Sequence, residues 1–245
     1  MDAATISGMD VTGTADEARR LEGASDLMML TALAFSFPTE ELARALSDES
    51  FASDVSGCLC DVGASGRVAT DAAKALRGFA GEDPSRLLNR LKVDYSLLYL
   101  APGSDVPVWP YEAPFEFVRA GREGAPSLFR SPVTLDVERI MRDSGVISQD
   151  ARTEPVDSVW HELAYLSYAL ARVAQARRSA GDSATEGARW FASARDIWSR
   201  HVGAWVPDFL SLTIERAQTH ARTQGYPCLA RMGTLSLEAV SAVLG

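Results

Sequence analysis

The sequence predicts an all-α protein, a single helical domain of about nine to ten helices. Three observations carry this. Runs of alternating Val, Ile and Thr are few, and no Asn-Gly or Asp-Gly turn occurs. Ala, Leu, Arg and Glu, which favour helices, dominate the long segments. With 47% hydrophobic and 23% charged residues among 245, the chain can bury a sizeable core, and wholesale disorder is excluded.

The elements follow in order. Residues 1–15, with Gly8, Thr12, Gly13 and Thr14 and no apolar period, are expected to be a disordered tail before one domain over 16–245. Across 16–37, Leu21, Leu27, Met28, Leu30, Leu33 and Phe37 fit one helix, which Pro38 stops. Thr39 can cap a short helix through Leu46. Residues 51–66 read as a marginal helix broken up by Gly57, Gly63, Ser65 and Gly66. A helix over 67–79 ends at Gly81. Asp83-Pro84 then supplies an N-cap and a first-turn proline for a helix to about Leu100, carrying Leu87, Leu88, Leu91, Tyr95, Leu98 and Tyr99. Residues 101–117 contain four prolines among Trp109, Tyr111, Phe115 and Phe117, so an ordered loop is expected, its aromatics packed or binding. Thr134 opens a helix that Gly145 ends. The next runs from about Glu154-Pro155 to Ala180, closed by Gly181. Ser183 and Glu186 form a capping box for a helix carrying Trp190, Phe191, Ala194, Ile197, Trp198 and His201. Pro207 marks another start and Tyr226-Pro227 the last, to Leu244.

The charge is -9, from 24 basic and 33 acidic residues, which disfavours nucleic acid, since phosphate binding rests on clustered cations. Residues 1–66 hold 12 acidic and 3 basic residues, leaving 21 of each beyond. Such an acidic quarter either attracts a basic partner or simply solubilises the surface. Cys58, Cys60 and Cys228 form neither a disulfide framework nor a four-ligand zinc pattern, which fits a reducing compartment. The start lacks a basic region followed by an apolar stretch, and the apolar segment 27–37 is too short to span a bilayer. A cytoplasmic protein without stable membrane insertion is expected.

Motif tests exclude several chemistries. No glycine-rich phosphate loop precedes Lys74 or Lys92, and His161-Glu162 is followed by Tyr165 where a zinc protease needs a second His. Asp157 and His161 could share a helix face, but two ligands make a weak metal site. The 154–180 helix carries a core stripe of Val159, Trp160, Leu163, Leu166, Leu170 and Val173. A second stripe, Asp157, His161, Tyr165, Tyr168 and Arg172, with Ser158 and Glu162 beside it, is polar and aromatic. It is either a solvated face or a groove wall offering carboxylates to arginine and tyrosines to apolar neighbours.

These residues resemble the TorD/DmsD/NarJ-type redox-enzyme maturation chaperones. Residues 91–100, with Asp94, Tyr95, Leu98 and Tyr99, are similar to the family's (D/E)Y-x-x-L-F, and Pro110-Tyr111-Glu112-Ala113 to its P-Y-E-S. Glu154, Pro155, Asp157, Glu162 and Leu163 are similar to E-P-x-D-H-x-x-x-E-L-x-F-M, and His201, Trp205, Pro207 and Phe209 to a C-terminal H-x-x-x-W-x-P-x-F. The order of the motifs carries the resemblance across nearly all the chain after the tail.

The resemblance implies a TorD/DmsD-like bundle and a non-catalytic chaperone. Its partner would be the catalytic-subunit precursor of a molybdopterin-containing oxidoreductase, held by the twin-arginine signal peptide until cofactor insertion. The candidate client-binding set is Tyr95, Leu98, Tyr99, Trp109, Pro110, Tyr111, Glu112, Glu154, Asp157, Ser158, His161, Glu162 and Tyr165. No resident cofactor or metal is expected, transient contact with molybdopterin or nucleotide being left open, and the chain is expected as a monomer or an exchange-type homodimer. Ser158 stands where the family often has His and Ala113 where it has Ser; His161, one turn from Asp157, is a candidate substitute for the lost imidazole. The alternatives are a small metal- or nucleotide-dependent enzyme using Asp157, His161 and Glu162, and a helical scaffold with no signal-peptide role.

Overall fold

The computed structural model describes residues 11–100, 106–147, 154–179 and 183–245. Among them run eleven α-helices: α1 (Val11–Phe35), α2 (Glu40–Ser47), α3 (Ser50–Val62), α4 (Gly66–Leu76), α5 (Pro84–Tyr99), α6 (Glu112–Arg119), α7 (Pro132–Asp143), α8 (Val159–Arg178), α9 (Ser183–Ile197), α10 (Gly203–His220) and α11 (Gly225–Leu244). A 3-10 turn (Arg77–Phe79) follows α4, and a π turn (Trp198–Val202) joins α9 to α10. The described residues hold no strand, only an isolated antiparallel bridge between Tyr111 and Ser158. The chain is all-α, as expected, with one or two more helices than expected.

The caps explain most boundaries. The Thr39 hydroxyl accepts the Leu42 N–H (3.2 Å) at α2, and the Asp83 carboxylate accepts the Arg86 N–H (2.9 Å) at α5, with Pro84 in the first turn. Gly63, at φ 90, closes α3 in the left-handed conformation that other residues resist, and Ser65 then caps α4. The stretch expected to be marginal is therefore two capped helices meeting at a glycine. Ser131, not Thr134, caps α7, accepting the Thr134 N–H (2.9 Å). The helix α1 begins at Val11, so 11–15 belong to it rather than to a tail, and residues 1–10 lie outside the described residues.

Three expected boundaries shift for identifiable reasons. Within the proline-rich loop a helix, α6, forms from Glu112, because Pro114 falls in its first turn, where N–H groups lack intrahelical acceptors anyway; residues 101–105 lie outside the described residues. α8 starts at Val159, five residues late. Glu154 precedes a proline, which disfavours helix there, and the segment pairs instead with the α6 entry: Glu112 N–H donates to the Asp157 carbonyl (2.8 Å) and Val159 N–H to the Pro110 carbonyl (2.9 Å). The Ser158 hydroxyl then caps α8 by accepting the His161 N–H (3.3 Å). Finally, Pro207 lies inside α10 rather than starting it. The chain passes from α9 through the π turn without a break, and at Gly203 a side chain would stand 2.8 Å from the Trp198 carbonyl oxygen. The closure expected at Ala180 and Gly181 lies outside the described residues. Glu186, expected in a capping box, faces Arg172 and the Trp190 indole (3.4 Å).

At the centre lies α8, packed against α1 on one side and α9 on the other. Its expected core stripe is buried except for half-buried Trp160. A hydroxyl of Ser25 on α1 donates to the Ser167 carbonyl (2.9 Å) inside the α1/α8 contact. A second packing centre joins α1, α5, α10 and α11: Tyr99 stacks on Phe209 (5.7 Å) and meets Tyr226 edge-on (5.3 Å), with Phe35 edge-on to Phe209 (5.4 Å). Buried Asp94 on α5 accepts the Arg222 N–H (2.8 Å) and the Thr223 hydroxyl, fixing the α10–α11 turn.

Candidate functional site

Where α6, α7, α8 and the π turn converge, polar side chains meet in the interior. His201 is the hub: Nδ1 lies 2.7 Å from Glu112 Oε2 and Nε2 3.0 Å from Asp136 Oδ2. Asp136 also receives Arg139 (3.1 Å) and Arg200. One turn along from His201, the Trp205 indole N–H donates to Glu162 Oε2 (2.8 Å). Asp157 accepts the Ala113 N–H (3.1 Å), so its carboxylate sits at the N-terminus of α6, favourably placed for the helix dipole. Glu112, Asp157, Glu162 and His201 are all buried.

The electrostatics are set by crowding. Glu112 and Glu162 crowd beside one imidazole with buried Asp157 close to Glu112, while Asp136, on the other side of the ring, is matched by two guanidiniums. Burial, reinforced by the charge of Glu112, holds Glu162 well above the ordinary carboxylate range. Burial also pushes Asp157 up to about 6, against the Ala113 N–H that favours its charged form. Burial works against charge on His201, but the Glu112 and Asp136 carboxylates outweigh it and raise its pKa. Asp136 goes the other way: burial opposes its charge, and His201, Arg139 and Arg200 overcome that and lower its pKa.

The candidate residues thus separate into two sets. Tyr95, Leu98 and Tyr99 are core residues of the second packing centre and offer no surface. Glu112, Asp157, Ser158 and Glu162, expected on an open groove wall, are interior, as are Pro110 and Tyr165, whose hydroxyl donates to Ser144 (2.8 Å). The neighbouring elements are the reason: α6 covers Asp157, Trp205 of α10 covers Glu162, and α7 and α9 enclose the Tyr165 hydroxyl, while Trp160, His161 and Ala164 stay half-buried and Tyr168 exposed on the remaining side of α8. Trp109, Tyr111, Glu154 and His161 are half-buried and reach the surface. Tyr111 meets Trp160 edge-on (5.6 Å) and donates its hydroxyl to Glu154 (2.8 Å), and Trp160 lies beside His161 (6.1 Å), so Tyr111, Glu154, Trp160 and His161 form a continuous patch.

His161 does not supply the cluster's imidazole. Its Nδ1 is engaged by the Ser158 hydroxyl (2.8 Å) and the Pro155 carbonyl (3.2 Å), and the grouping of Asp157, His161 and Glu162 for an enzyme site does not form. The imidazole comes from His201, 40 residues on in sequence, with Asp136 and Trp205 beside it. Sequence reading placed His201 and Trp205 in a motif but did not bring them to the carboxylates; the four-residue spacing from His201 to Trp205 to Phe209, one helix face, was the available signal.

A separate groove lies between α1 and α3, with Met29, Leu30 and Cys58 in its apolar lining and Asp26, Asp54 and Asp61 around it. Burial and the neighbouring Asp61 and Asp54 raise the pKa of Asp26. Among the described residues neither Asp26 nor Asp54 has an ion-pair partner, while Asp61 lies 3.8 Å from Arg19. Farther along the same helix Leu33 is 46% exposed, and Phe37, just beyond its end, 50%. No helix among the described residues is long and apolar enough to cross a membrane.

The motif residues Glu112, Asp157, Glu162, His201 and Trp205 thus lie together where α6, α8 and the π turn of this all-helical fold converge. Residues 66–211, more than half of the chain, match the family described as Nitrate reductase delta subunit, and the chain belongs to that family. It is a family of redox-enzyme maturation chaperones rather than of catalysts. Comparison with curated proteins gave no match.

Proposed function

We propose that the protein is a cytoplasmic, system-specific chaperone for the catalytic-subunit precursor of a molybdopterin-containing oxidoreductase, binding its twin-arginine signal peptide and holding it until cofactor insertion. The family match over 66–211 carries this reading. The surface supports it. A twin-arginine segment followed by an apolar stretch needs carboxylates beside apolar side chains, and the α1/α3 groove offers Asp26 and Asp54 next to Met29 and Leu30. The patch of Tyr111, Glu154, Trp160 and His161 offers a second contact to the folded client. The buried residues of the candidate set act from beneath, by fixing α6 and α8 where that patch is built.

Calorimetric titration with the N-terminal peptide of such a precursor from the same genome tests the proposal. The twin-arginine peptide binds, and a twin-alanine version binds at least tenfold more weakly. No binding of either peptide, together with no binding of the full precursor, overturns it. His161→Ala weakens binding of the full precursor more than His220→Ala, because His161 borders the aromatic patch; equal affinities remove His161 from the contact.

A further inference from the structure

We propose that Glu112, Glu162 and His201 form a buried site for one divalent transition-metal ion that ties α6, α8 and the π turn together. This goes beyond the chaperone reading and does not depend on it. One ligand atom from each residue lies within 4.8 Å of the other two, and all three residues are buried. A zinc-type ion bonds such atoms at about 2.0–2.2 Å. Tetrahedral ligands at that bond length stand about 3.3–3.6 Å apart, so Glu112 Oε2, now 2.7 Å from His201 Nδ1, has to move off the imidazole while Glu162 turns toward it, both by side-chain rotation.

The surroundings are arranged as a metal's outer shell. The Asp136 carboxylate accepts from His201 Nε2 (3.0 Å), which directs the lone pair of Nδ1 toward Glu112 and Glu162 once Nδ1 gives up its proton. The Trp205 indole N–H holds Glu162 by Oε2 (2.8 Å). The other oxygen, Oε1, is buried and has no hydrogen-bond partner among the described residues. An unpaired carboxylate oxygen in the interior is costly and calls for either a proton or a cation beside it. One imidazole and two carboxylates, with room for a water or a further oxygen, suit zinc, manganese or ferrous iron better than a thiolate-seeking or an all-oxygen ion. His201 sits in a π turn, a distortion that occurs often at functional sites. Binding would release to solvent both the Nδ1 proton of His201 and the proton that burial keeps on Glu162 beside Glu112, leaving two carboxylates and a neutral imidazole around the dication, so that charge and protons balance.

Zinc is the probe. The full chain, stripped with a chelator and exchanged into buffer, is titrated with Zn²⁺ against a competing chelator, and with Co²⁺ followed by absorption. The expected result is one ion per chain, visible bands of a four- or five-coordinate cobalt site, and a melting temperature that rises with zinc. X-ray absorption of the wild-type zinc complex shows one imidazole and oxygen neighbours. Glu162→Gln, which keeps the volume and an acceptor for Trp205, weakens zinc binding at least tenfold, as does His201→Gln, whereas His161→Ala and His220→Ala leave it unchanged. If the wild type takes up no zinc stoichiometrically, a shared proton occupies the place and the proposal is overturned. Binding that survives Glu162→Gln and His201→Gln in folded variants, or a zinc spectrum without one imidazole, overturns it equally. Where a variant does not fold, the wild-type stoichiometry and spectrum still decide.

Discussion

Asp157 shows how a residue can match a motif and yet act in the interior. Its carboxyl keeps its proton up to about pH 6 in the folded protein but only to about 4 in the unfolded chain. Between those values the native state binds more protons, so stability falls as pH rises through that window and stays lower above it. In metal-free protein the loss is on the order of 2–3 kcal/mol. Asp157→Asn removes it while keeping an acceptor for the Ala113 N–H. Relative to wild type, urea denaturation should find the variant more favourable at pH 7 than at pH 4 by about that amount; the same difference at both pH values refutes the assignment. The cysteines give a second test at this scale. Burial, with Asp26, Asp61 and Asp54 around it, pushes the Cys58 thiol up to about 11, whereas Cys60 is exposed. At pH 8 only about one Cys58 in a thousand is thiolate, so iodoacetamide should label Cys60 first, and Cys58 labelling should climb roughly tenfold per pH unit toward pH 10. Equal rates at pH 8 would place Cys58 at the surface.

Helix packing turns on small residues at close approaches. Gly23 on α1 has no room for a side chain: an added carbon would stand 2.9 Å from the Cys58 carbonyl oxygen and from the Asp61 side chain of α3. Gly57, exposed on α3, has nothing within 4 Å. Both are glycines inside helices, where alanine alone would favour the helix by up to about 1 kcal/mol. The two substitutions should therefore act in opposite directions. Gly57→Ala raises the denaturation midpoint, and Gly23→Ala lowers stability by about 1–3 kcal/mol through forced separation of α1 and α3. Stabilisation by Gly23→Ala would mean that the two helices pack less closely. Because α3 carries Asp54, Cys58 and Asp61, Gly23→Ala should also disturb the groove, and peptide titration of that variant reads both effects.

The net charge of -9 lies in the first quarter of the sequence, and the described part of that quarter, residues 11–66, sets 10 acidic against 3 basic residues on and between α1, α2 and α3. Such a field draws in a cationic segment before contact, an effect that salt screens over a Debye length of about 8–10 Å. Asp54→Lys, at an exposed carboxylate with no ion-pair partner among the described residues, should slow association of the twin-arginine peptide several-fold at low salt and little at 0.5 M salt. Stopped-flow rates at the two salt concentrations check this; a rate insensitive to both the substitution and the salt would move the cationic contact elsewhere.

What the sequence by itself determined is local. The helical class, the caps at Thr39 and Asp83, the last helix and the apolar stripe of α8 are written in neighbouring residues, and the order of short motifs was enough to carry the resemblance to the family that the match over 66–211 establishes. Burial is not local. Whether each polar position of that stripe meets water depended on what packs across from it, since α7 and α9 cover Tyr165 and α10 covers Glu162 while Tyr168 stays exposed, and periodicity along one helix carries no information about its neighbours. For the same reason Glu112, Glu162 and His201, separated by 50 and 39 residues in the chain, became one cluster only through the packing of α6, α8 and the π turn. An interior carboxylate and a solvated one look alike in sequence; the tertiary structure alone decides which of them must find a proton, a cation or a partner.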